Sequence, residues 1–398
     1  MPTRWVEPNP HQSQVFPRRD FLRLASNGVA LLGFAGSGPA AAQNPGLERA
    51  VQARALRIGQ EISIGMRNLA VPGVSVAVVN DCKLEWTLGY GFADLSTKLP
   101  TTAETLFQAA SVSKVAATIA ALRLVGEGHL SLDDDINERL RAWKLRPNPY
   151  TARRAVTLRH LLTHSAGFNV HGFAGYSRGR FIPSIVQVLE GPPFANSAPI
   201  VVTQVPGTAS QYSGGGFCVL QQLLIEVTGK PFAEYLNEAV FTPLGMEQST
   251  FSQPLPPSME SRSATGHLAN QALVPFKWNV YPELAAAGLW TTTADLARLG
   301  IEIMSAALGR GTILSRQLAQ LMLTPQIQNQ YGPIGLCVFL NRSRNPTRFH
   351  HSGTNSGFQC RLAGTTNGKG AVVMTNSDNG GRLAAEAIDK IAELYGWP

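Results

Sequence analysis

Cysteine is scarce in this chain: there are four among 398 residues, Cys82, Cys218, Cys337 and Cys360, far apart and with no CxxC pair. A thiol-based metal site needs closely spaced ligands, so none is expected, and no metal or cofactor is assigned. The four read as buried free thiols. None opens a helix beside a lysine or histidine, as a nucleophilic cysteine would. Long apolar runs are also missing. Beyond the N-terminal segment nothing approaches the roughly 18 uncharged apolar residues of a membrane span. Charge is thin at 15%, and the excess of 34 Lys and Arg over 26 Asp and Glu is scattered. Without a basic run or interleaved aromatics, no nucleic-acid partner is expected. There is no internal repeat and no low-complexity tract. The triplet Asp133-Asp134-Asp135 lacks the spaced ligands and terminal glutamate of a calcium loop, and reads as helix capping.

What remains is an ordinary globular composition, 44% hydrophobic, long enough for one large domain or two medium ones. The N-terminus reads as an address label. Pro17-Arg18-Arg19-Asp20-Phe21-Leu22-Arg23 precedes a weakly apolar stretch, Gly28 to Ala35, and then Ala40-Ala41-Ala42. Residues 1–42 therefore resemble a twin-arginine export signal, which places the mature protein in the periplasm without a membrane span.

From Gly46 to about Ala70 the apolar residues Leu47, Val51, Ala55, Ile58, Ile62, Met66 and Leu69 recur with helical spacing. Val74–Val79 and Leu84–Tyr90 read as strands joined at Asn80-Asp81. An almost wholly apolar helix begins at Ser111 and ends at Gly126 and Gly128, and a helix apolar all round is buried. The stretch from Leu130 to Gly288 is helical and rich in loops. Two helices follow from Thr293, then β-like runs at Ile334–Leu340, Thr347–His351, Gln359–Ala363 and Ala371–Met374, and a last helix over Arg382–Tyr395. Strands at both ends with helices between imply an α+β fold. Residues 43–128 and 289–398 form an antiparallel sheet flanked by helices, and 129–288 an inserted all-helical domain.

Three strings carry chemistry. Ser111-Val112-Ser113-Lys114 is the only S-x-x-K in the chain; about one or two such matches arise by chance, so its context decides. One helical turn sets Lys114 beside Ser111. A lysine on a buried helix is costly to desolvate, loses basicity, and can then take a proton from a neighbouring hydroxyl. The helix start offers N–H groups to a developing oxyanion. Tyr212-Ser213-Gly214 stands ahead of a second apolar helix, where Tyr212 suits a general base or proton relay if nearby cations depress its pKa. Tyr235-Leu236-Asn237 sits inside an amphipathic helix and reads as core. His350-His351-Ser352-Gly353-Thr354 lies on a late strand; alternation lets one histidine of the pair face a cleft.

In this order the strings resemble the β-lactamase and penicillin-binding protein superfamily, most closely its class C β-lactamase-like branch of serine hydrolases. Leu158-Arg159-His160-Leu161-Leu162-Thr163-His164-Ser165-Ala166-Gly167, Pro243-Leu244-Gly245-Met246 and Ala287-Gly288-Leu289-Trp290-Thr291-Thr292 are similar to further landmarks of that branch. The resemblance implies that Ser111 attacks a carbonyl, that Lys114 and Tyr212 share the proton transfers, and that the N–H groups of Ser111 and Thr354 form an oxyanion hole, with His351 and Gly353 at the substrate. Two departures stand out. Gly214 replaces the family's asparagine, and His351-Ser352-Gly353 replaces Lys-Thr-Gly, so a permanent charge for a β-lactam carboxylate is missing.

The expectation is an acyl-enzyme serine hydrolase acting on a small ester or amide, carboxylesterase-like first. D-amino-acid peptidase or carboxypeptidase activity comes second and β-lactamase third. A non-catalytic relative that binds peptidoglycan through the same cleft is the competing class. Gly175-Tyr176-Ser177-Arg178-Gly179 is a literal G-x-S-x-G, but no strand run precedes it, so it is not read as a nucleophile elbow.

Overall fold

The structure, a computed structural model, describes residues 45–341 and 347–397. The export-signal stretch 1–42 lies outside them. Helix α1 (Pro45–Leu69) leads into strands β1 (Gly73–Asn80) and β2 (Lys83–Asp94), followed by the short β3 (Leu99–Pro100) and β4 (Phe107–Gln108). A 3₁₀ turn, Ala110–Val112, opens helix α2 (Ser113–Gly126). The stretch that follows carries short helices, helix α3 (Gly214–Thr228), and the two-residue strands β5 (Tyr176–Ser177) and β6 (Asn279–Val280). After β7 (Trp290–Thr291) comes helix α4 (Thr293–Ala307). Strands β8 (Ile327–Asn329), β9 (Gly332–Ile334), β10 (Phe339–Asn341), β11 (Arg348–Asn355), β12 (Phe358–Thr365) and β13 (Gly370–Thr375) precede helix α5 (Gly380–Leu394).

Nine strands form one antiparallel sheet in the order β3-β2-β1-β13-β12-β11-β10-β9-β8. Early and late strands meet where Val74 pairs with Thr375 and Val79 with Gly370. The α+β reading with a sheet drawn from both ends of the sequence therefore holds. Both faces of β1 are covered. Val74, Val76 and Val78 join Ile58, Ile62 and Met66 of α1 and Leu383 and Ile391 of α5 in one core. Ala77 and Val79 point the other way, into the larger core with Leu296, Leu299 and Ile303 of α4. The period-2 alternation of a strand thus feeds two cores at once.

Helix α2 runs through that larger core. Val115, Ile119 and Leu122 are wholly buried, each contributing about 1.5–3 kcal/mol by leaving water. The apolar sequence explains the burial, and the burial leaves Lys114 among hydrocarbon.

Local differences from the sequence reading have local causes. The β1–β2 turn falls at Asp81 and Cys82, both left-handed (φ 49° and 57°). Cys82 is half-exposed, unlike the other three thiols, and all four are free. The expected strand Ile334–Leu340 is two short strands broken at 335–338, where Cys337 turns left-handed (φ 71°) and its N–H donates to Leu162 O at 2.7 Å. A side chain at Gly335 would meet Met322 O at 1.9 Å, so the chain bends there instead of continuing the ladder. Tyr235 is core as expected, its hydroxyl donating to Ala120 O at 3.1 Å. Of the aspartate triplet, Asp135 caps a 3₁₀ turn through Asn137 N, while Asp133 pairs with Arg159. Ser177 lies on β5 paired to β6, and no helix follows until Ile185–Glu190, so the nucleophile-elbow setting is missing.

Candidate active site

The turn that carries Ser111 is held from several directions. Strand β4 pairs with β7, and Ala109 N donates to Leu289 O at 2.9 Å. Ala110 then turns left-handed at φ 48°, a conformation that costs a non-glycine residue about 1–3 kcal/mol. Ser113 keeps it there: its Oγ donates to Ala110 O at 2.5 Å and accepts from Leu289 N at 3.0 Å. Ser111 emerges half-buried at the head of the buried helix.

Lys114 Nζ donates to Ser111 Oγ at 3.0 Å and to Ala286 O at 2.7 Å, the latter in the short helix Leu284–Ala287. Only 1% of the residue is exposed. The rings of Tyr212 and Phe217 lie 5.0 and 5.5 Å from its nitrogen. Its hydrogen-bond partners are a hydroxyl and a carbonyl, neither charged. Burial accordingly drags the ammonium from 10.5 to about 8. At neutral pH a useful fraction of the amine is free to accept a proton.

Tyr212 sits between two imidazoles, 4.4 Å from His164 and 6.2 Å from His351 between ring centroids. Burial raises its hydroxyl above the ordinary tyrosine range, and a hydrogen bond with Ser111 opposes this only in part. The anticipated depression by nearby cations is therefore reversed. Tyr212 is a neutral phenol and not a phenolate. Both imidazoles are neutral as well. Burial first and the Lys114 charge second bring His164 to about 3 and His351 well below its usual value.

Strand β11 closes the site. It pairs with β10 only from Arg348 to His350, so the edge from His351 onward is free of a strand on that side. Thr354 pairs with Gln359, whose carbonyl points to β13 and accepts from Thr375 Oγ1. In an antiparallel ladder this makes 354 and 359 a non-bonded pair, so Thr354 N–H points to the free edge, where an oxyanion donor belongs. Gly353 packs directly on the serine turn: a Cβ there would lie 2.3 Å from Ala109 O and 3.0 Å from Ser111 N. His351 is the histidine of the pair that faces Tyr212. Its side chain is wholly buried, with Nδ1 bonded to Ser352 O at 2.8 Å, so it supports Tyr212 rather than offering a surface to substrate. Ser352 and Thr354 are the exposed residues of the strand.

Several site residues lacked a sequence assignment. Asn355 donates to Gln108 Oε1 at 2.8 Å and to Ala287 O at 3.1 Å, tying β11 to β4 and to the helix that receives Lys114. His164 lies within the quoted stretch Leu158–Gly167, yet only its contacts give it a part. Glu283 stands just before the short helix, completely buried, with neither carboxylate oxygen hydrogen-bonded. Burial raises it from 4.5 to about 8. No motif marks it.

Two tests follow from this packing. Gly353→Ala should lower activity by on the order of 10²-fold, the scale of a lost oxyanion donor, because the new methyl displaces Ser111 N. Unchanged turnover in that variant would show that the two backbones are free to separate. For Glu283, the folded protein holds a proton that the unfolded chain releases near 4.5. Stability should therefore fall as pH rises from about 4.5 to about 8, on the order of several kcal/mol across the window. Thermal melts of Glu283→Gln should lack most of that slope, and an equal slope in variant and wild type would contradict the burial argument.

Residues 58–396 match the model of the Beta-lactamase family. The PbpX protein of Bacillus subtilis is 24% identical over 84% of this chain and 78% of its own length. Among solved structures, the octameric penicillin-binding protein homologue from Pyrococcus abyssi superposes with a TM-score of 0.70 at 25% identity, covering 85% of this chain and 77% of that one. The D-alanine carboxypeptidase AmpC from Burkholderia cenocepacia shares the fold at a TM-score of 0.68 and 20% identity, over 87% and 99% of the two chains. With the family model spanning nearly all of the described fold, the chain belongs to the Beta-lactamase family, within the superfamily of β-lactamases and penicillin-binding proteins.

Proposed function

We propose that the protein is a serine hydrolase of carboxylesterase type, which forms an acyl-enzyme at Ser111 from small, uncharged esters. The observation that carries this reading is the bond of 3.0 Å from the buried Lys114 to Ser111 Oγ, together with the lysine's depressed basicity. The uncharged amine of Lys114 takes the hydroxyl proton as Oγ bonds to the ester carbonyl carbon. Ser111 N–H and Thr354 N–H receive the oxyanion. Tyr212 gives its proton to the departing alkoxide and is reprotonated from Lys114. Water then attacks the acyl carbon and gives a proton to Lys114, which passes it to Ser111 Oγ as the Oγ–acyl bond breaks and the acid leaves.

The preference for neutral esters rests on what surrounds the serine. His351 is uncharged and buried, so this position offers no fixed cation to a substrate carboxylate. The place of an amide-binding side chain after Tyr212-Ser213 is filled. A Cβ at Gly214 would lie 2.9 Å from the Phe173 ring and 3.1 Å from His171 O. An aromatic wall there favours an apolar acyl or alkoxy group over a peptide-like amide.

Hydrolysis of p-nitrophenyl butyrate beside a chromogenic cephalosporin tests the reading. The ester should turn over, Ser111→Ala should abolish it, and the cephalosporin should be slow or inert. The rate should rise with pH through about 8 as Lys114 loses its proton. Ester cleavage that survives in Ser111→Ala would overturn the assignment. Phe173→Ala combined with Gly214→Asn should lower kcat/KM for butyl esters about tenfold and raise it for amides. A pair of changes that leaves the ester-to-amide ratio untouched would remove Phe173 from specificity.

A further inference from the structure

We infer that His164 is the positioning residue for Tyr212, holding the phenol where it can protonate a leaving group. This deepens the hydrolase reading above and rests on it. His164 belongs to the stretch Leu158–Gly167, which is similar to a family landmark. In the fold it ends a short helix, Leu158–Leu162, and at His164 the backbone turns left-handed with φ 55°. That conformation is strained for a residue with a Cβ, and it persists only where its surroundings hold it. Here it lets carbonyl and side chain of one residue address the same passing segment.

The segment is 211–213. Gln211 N donates to His164 O at 2.8 Å, and Ser213 N donates to His164 Nδ1 at 3.2 Å. The two amides flanking Tyr212 are thus both bound by a single histidine. The imidazole meanwhile packs on the Tyr212 ring, 4.4 Å away and tilted by 36°, and on Phe217 at 5.4 Å. Backbone and ring of Tyr212 are thus held by one residue, its carbonyl and its imidazole together, that is 2% exposed. On the far side His171 Nδ1 meets Tyr212 O at 2.7 Å, completing the cradle.

Accepting at Nδ1 assigns the ring proton to Nε2. Protonating Nδ1 would turn that acceptor into a donor facing Ser213 N–H and would set a second charge near Lys114. Burial and the Lys114 charge both keep the ring neutral. The clamp therefore keeps its polarity through the pH range in which Lys114 titrates.

A positioning role has a signature that a general stabilising role lacks. Tyr212 matters most where the leaving group is a poor one. p-Nitrophenolate departs without help, whereas an alkoxide needs its proton. The experiment compares ethyl butyrate with p-nitrophenyl butyrate in wild type, His164→Ala and His164→Asn, with melting temperatures and fluorophosphonate labelling of Ser111 alongside. For His164→Ala the ethyl ester should lose on the order of 10²-fold and at least about ten times more than the nitrophenyl ester. Asparagine tolerates the left-handed backbone and can accept from an amide, so His164→Asn should recover much of the loss. Fluorophosphonate expels fluoride, which needs no proton, so labelling should persist in both variants. Equal losses on the two esters, or none on either, would overturn the inference. Wild-type protein that cleaves neither ester would instead remove the hydrolase reading beneath it.

Discussion

The burial of one ammonium group organises this site. Lys114 sits buried on the apolar helix α2, and it is held by a hydroxyl and a carbonyl. An unpaired charge there is expensive, and the protein resolves the cost by letting the group give up its proton easily. The neighbours are consistent with that choice. A carboxylate beside Lys114 would stabilise its charge and raise its pKa again. The surroundings are instead aromatic rings, thiols and neutral imidazoles.

Around that group the fold supplies fixed backbone. The strained Ala110, the Ser113 hydroxyl that pins it, and Gly353 pressed on Ala109 and Ser111 are separate devices with one effect. Each removes a freedom that the serine turn would otherwise have. Rigid donors cost no reorganisation when charge develops, which is why such strain concentrates at reactive positions.

Much of this was legible in the sequence, and the limits have physical reasons. The buried helix after Ser111 was readable because every face of it is apolar, and the sheet because its strands alternate or run continuously hydrophobic. The serine–lysine pair was readable because one helical turn fixes their separation. The direction of the Tyr212 shift was not, since it depends on how completely distant segments enclose the phenol. His164 and Glu283 escaped for the same reason. A lone histidine or glutamate acquires meaning from what surrounds it: residues 211–213 for His164, and groups as distant as Tyr176 and Cys218 for Glu283. The break at Cys337 also escaped, because the backbone it answers to, Leu162, is far away in sequence.

The pairing of β1 with β13 has a kinetic consequence. Val74 must find Thr375, and Gly353 must reach Ser111, before the serine turn is shaped at all. Contacts of such long sequence separation close slowly, since loop entropy is lost before they reward it. A nascent chain lacking its last strands carries the Ser111–Lys114 sequence without the backbone that arranges it. The arranged serine turn therefore arises only with the final closure of the sheet, so a partly made chain carries the motif without its geometry.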